Sequence, residues 1–63
     1  MNLKEFKTYL LEEIVKSKEI RDKADKELSK SKTQEAKTVF YVAGIRADER
    51  INVYNDLIRK LSD

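Results

Sequence analysis

In the second half of the chain, Phe40, Gly44, Ala47, Ile51, Tyr54, Ile58 and Leu61 follow one another in unbroken steps of four and three. That spacing is the a/d seam of a heptad, and on an α-helix it places every one of these side chains along a single stripe. Ala36, Val39, Ala43 and Leu57 widen the stripe on one side. A helix with such a stripe is stable in water only when the stripe is covered.

The first half supplies a candidate cover. Leu3, Phe6, Leu10, Ile14, Ile20, Ala24 and Leu28 recur at steps of three, four and six, with Ser17 filling the long gap. These too fall on one helical face. Asn2 followed by Glu5 has the form of a capping box and marks a helix start at the N-terminus.

Residues 29–33 contain neither Gly nor Pro, so a single continuous rod is the competing architecture. Helical phase separates the two. Extended backwards, the second seam runs through Lys37, Thr33, Lys30, Lys26, Lys23, Glu19 and Lys16, all of them polar. On one rod the two stripes point in different directions and cannot be buried by one neighbour. A break at residues 29–33, with Ser31 and Gln34 or Thr33 alone capping the second helix, lets them meet.

The chain is therefore expected to be all-α: one domain over residues 1–63, an antiparallel hairpin of helices at 2–30 and 33–62 joined by a turn at 29–33. The matching register sets Leu3 against Leu61, Phe6 against Ile58, Leu10 against Tyr54 and Ile14 against Ile51. It continues with Ser17 against Ala47, Ile20 against Gly44, Ala24 against Phe40 and Leu28 against Ala36. Near the turn each larger residue meets a smaller one, as an interdigitated core requires. Gly44 costs about 1 kcal/mol in a helix interior, and a packing role opposite Ile20 is its expected justification. Thr38 to Val42 also favour β structure, but a lone strand has nothing in this chain to pair with.

A 63-residue chain has a small core and generally needs a disulfide, a metal or a partner. It contains no Cys and no His, which closes the first route and the usual zinc sites. Association remains. Residues 39–45 carry no charge, and a hairpin cannot hide all of them. Leu11, Val15, Val39, Val42, Ile45, Val53 and Leu57 are the candidate surface for a partner, and the simplest partner is a second copy. Two hairpins then form a homodimeric four-helix bundle. Another protein is the further possibility.

Charge excludes several other classes. Lys and Arg number 14 against 12 acidic residues, mixed along the chain for a net charge of +2, which is a solvated two-sign surface. Lys4, Glu5 and Lys7 interrupt any leader-like apolar start, and no apolar run is long enough for a membrane. A cytosolic location is expected. The carboxylates at Glu12, Glu19 and Asp22 precede Lys16, Lys23 and Lys26 by four residues, the spacing of surface helix pairs and not of an acid–base site. Di-metal bundles use Glu-x-x-His motifs. No enzyme activity, cofactor, metal or small-molecule substrate is expected.

Nucleic-acid binding is the alternative function. Lys23, Lys26 and Lys30 lie toward the turn, and Arg46 and Arg50 are helical neighbours with Tyr41 nearby. Seven acidic residues in the first 33 positions oppose phosphate attraction. In plan and length the chain resembles the small plasmid-encoded RNA-binding proteins that dimerise as helical hairpins, without a shared sequence motif. The stretch from Gly44 to Ile58, a Gly-led amphipathic pattern covering about a quarter of the chain, resembles the closing helix of many short proteins of phages and other mobile elements. That resemblance implies an accessory or regulatory protein and attaches no activity or binding residue.

Arg21 falls on the edge of the first stripe. It is placed to reach Asp48 and pin the register, as polar seam residues do, or to extend its tip to water.

Overall fold

The computed structural model describes residues 1–62; Asp63, the last residue of the expected domain, lies outside them. The described chain is two helices, α1 (Leu3–Lys30) and α2 (Gln34–Ser62), packed side by side. The molecule measures 46 × 15 × 14 Å. A helix of 28 residues is about 42 Å long at 1.5 Å per residue, so the two run the same length of the rod in opposite directions.

Both helix starts are capped by side chains. The Glu5 amide donates to Asn2 Oδ1 at 2.8 Å, and the Asn2 side-chain amide returns a bond to Glu5 Oε1 at 3.2 Å. Of the two ways to cap α2, the structure uses Thr33, whose Oγ1 accepts from the Ala36 amide at 3.1 Å. Ser31 instead closes α1. Its amide donates to Leu28 O at 3.2 Å and its hydroxyl to Glu27 O at 2.7 Å. Ser31 is extended, with φ −69° and ψ 134°, and no residue described has a positive φ. The turn therefore has no position that calls for glycine.

Leu10, Ile14, Ala24, Ala47 and Ile51 are buried together with Ser17 and Gly44. Phe6, Leu28, Phe40, Tyr54, Ile58 and Leu61 are half-buried toward the two ends. Small residues hold the middle, so the helices approach closely there and no large side chain separates them. No buried side-chain nitrogen or oxygen among the described residues lacks a hydrogen-bond partner.

Two residues expected on the seam are not in it. Ile20 is 48% exposed and Leu3 53% exposed. The inner face of α1 steps by four and three through Leu10, Ile14, Ser17, Arg21, Ala24 and Leu28, all buried or half-buried. Arg21 holds the position in phase, and Ile20, one residue earlier, is rotated about 100° away. The expected face placed hydrophobicity above phase at this one step.

The register differs for a related reason. A Cβ added to Gly44 would meet Ala24 and Asp25, not Ile20, about one turn beyond the expected pairing. Cα–Cβ bonds lean toward the N-terminus of each helix. In an antiparallel pair the two leans oppose, so side chains that touch come from residues further along both chains than their backbone levels suggest. Ala24 is the seam residue that this places beside Gly44. The same displacement carries the level opposite Leu3 past the end of α2, leaving Leu3 in solvent.

Candidate interaction surface

Arg21 makes the one ion pair between the helices among the described residues. Its Nη1 lies 3.3 Å from Asp48 Oδ1, and its Nη2 lies 3.5 Å from Asp22 Oδ1. The Asp48 hydrogen bond raises the guanidinium pKa above its ordinary value; partial desolvation opposes this, and the Asp22 and Asp48 charges assist. The remaining ion pairs are Lys16–Glu13 at 3.3 Å and Arg59–Asp56 at 3.2 Å. The expected pairs of Lys16 with Glu12, Lys23 with Glu19 and Lys26 with Asp22 do not close to within ion-pair distance. Lys16 turns to Glu13 instead.

The seven apolar residues expected to form a partner surface are all exposed, between 37% for Leu57 and 63% for Val39. They do not form one face. Leu11 and Val15 each follow a buried residue of α1 by one position, which puts them on the flank where Arg21 meets Asp48. Val39, Val53 and Leu57 each precede an inward residue of α2, which puts them on the opposite flank. Leu11 and Val53 thus stand at a similar level on different sides of the rod. Val42 and Ile45 lie on the back of α2. Of the uncharged run at 39–45, Phe40, Ala43 and Gly44 turn toward α1 while Val39, Tyr41, Val42 and Ile45 face solvent.

The flank carrying Val39, Val53 and Leu57 is grooved. Ile20, Ala24, Phe40 and Ala43 form an apolar floor bordered by Lys23 and Glu27. A second groove joins it at Ile20 and Ala43, running over Ser17 and Ala47 to Arg46 and Arg50. Ile20 therefore has a place that the sequence did not suggest, as the shared wall of two surface grooves.

Among the five candidate nucleic-acid contacts, Lys23, Arg46 and Arg50 border these grooves. Lys26 and Lys30 fall on the outer side of α1, turned away from α2 by helical phase. At the N-terminal end Phe6 and Tyr9 stack with ring centroids 6.4 Å apart, and Tyr9 borders a shallow surface depression with Met1, Lys4 and Glu12.

Among the described residues no three of the Asp and Glu side chains gather as a metal site, and no helix is long and apolar enough to cross a membrane. No protein-family model matches the chain, and neither a curated protein nor a solved structure is significantly similar to it.

Proposed function

We propose that this chain is a small non-enzymatic interaction or regulatory module that acts through helix packing, with self-association into a four-helix assembly as its working form. One observation carries the reading: closing the hairpin leaves Val39, Val42, Val53 and Leu57 exposed along a single helix. Scattered single apolar residues are ordinary on protein surfaces. Val39, Val53 and Leu57 sharing one flank of a 29-residue helix, with Val42 on its back, is more apolar surface than scatter leaves on a single helix and is the pattern of a surface that gets covered. The thin core points the same way, because a chain this short gains from burying further surface against a partner. A cytosolic setting and an accessory role, as the resemblance of its last helix implies, belong to the same proposal.

Sedimentation equilibrium across micromolar concentrations, with circular dichroism on the same samples, tests this directly. A helical dimer is the expected result. A helical chain that stays monomeric at every concentration overturns self-association.

The alternative is nucleic-acid binding, favoured by the convergence of Lys23, Arg46 and Arg50 on adjoining grooves. Glu27 in the same groove and the two outward lysines weigh against it. Binding of RNA or DNA that keeps a sequence or structure preference at physiological salt would establish that function; weak binding that fades with salt would not.

A further inference from the structure

We draw no further inference here: the strongest candidate, the grooved flank of α2 where Ala43, Arg46 and Arg50 lie beside Ile20 of α1, carries nothing, because an antiparallel second copy centred on it would set Arg46 against Arg50 and nothing else in the structure shows what covers it.

Discussion

Gly44 lies against Ala24. A Cβ built on the glycine would stand 4.0 Å from the Ala24 Cβ and 3.8 Å from Asp25 Oδ1, both ordinary van der Waals separations. The helix therefore tolerates one methyl group here, while the glycine carries its usual conformational cost. Gly44→Ala is expected to raise stability by about 0.5–1 kcal/mol, read as a melting temperature several degrees higher. Gly44→Leu reaches beyond that space and is expected to lose about 1–3 kcal/mol. A destabilised alanine variant would show that the helices are closer than this geometry.

Ile20 and Leu10 are both large aliphatic residues of α1, yet Leu10 is 1% exposed and Ile20 48%. Leu10→Ala is expected to cost about 2–4 kcal/mol through lost burial and a residual cavity. Ile20→Ala should cost less than about 1 kcal/mol in the monomer. Urea titrations of the two variants make the comparison, and equal losses would restore Ile20 to the core.

Thr33 is the side-chain cap of α2. Thr33→Ala should lower stability by about 1 kcal/mol, with Thr33→Asn or Thr33→Ser recovering most of it. Thermal melts followed at 222 nm check this. If serine fails to recover the loss, Thr33 acts through something other than its hydroxyl.

Arg21 occupies a seam position and escapes it by reaching Asp48. A guanidinium whose folded-state pKa is raised contributes its stability at every pH below its unfolded-state value and loses it only as strongly alkaline pH passes the folded one. Arg21→Leu is expected to raise the melting temperature, since it replaces a polar seam residue with one that packs. It should also make the melting temperature less dependent on salt than in the parent. A lower melting temperature for Arg21→Leu would assign the ion pair a larger part in holding the helices together.

Leu11 and Val15 lie on the flank opposite Val39 and Val53. Val39→Glu with Val53→Glu is expected to weaken association at least tenfold with helicity retained, because each buried apolar contact is replaced by an unpaired charge. Leu11→Glu with Val15→Glu should leave it near the parent value. Sedimentation of the two double variants decides, and the reverse outcome would move the interface to the Asp48 flank.

The positions of the helices were legible because their causes are local. The seam from Phe40 to Leu61, the Asn2 and Thr33 caps and the phase clash across residues 29–33 all lie within a few residues of the features they determine. Less was legible of the candidate surface. Its members could be named as apolar residues off the seam, but Leu11 and Val53 were placed in one candidate surface although the rod stands between them. The one residue misplaced in phase, Ile20, was drawn to the seam by its hydrophobicity. A strict step of four and three from Ile14 leads through Ser17 to Arg21, so the signal was present and was outweighed.

By itself, then, the sequence determined that this protein is two helices with one inward stripe each, because helical periodicity and capping chemistry act over three or four residues. Only the tertiary structure decided that Gly44 meets Ala24, that Arg21 turns to Asp48 and not to water, and that the exposed apolar residues divide between two flanks. Those outcomes depend on how far two leaning sets of side chains slide past each other when the helices pack. That sliding distance belongs to the pair of helices and is written in neither one alone.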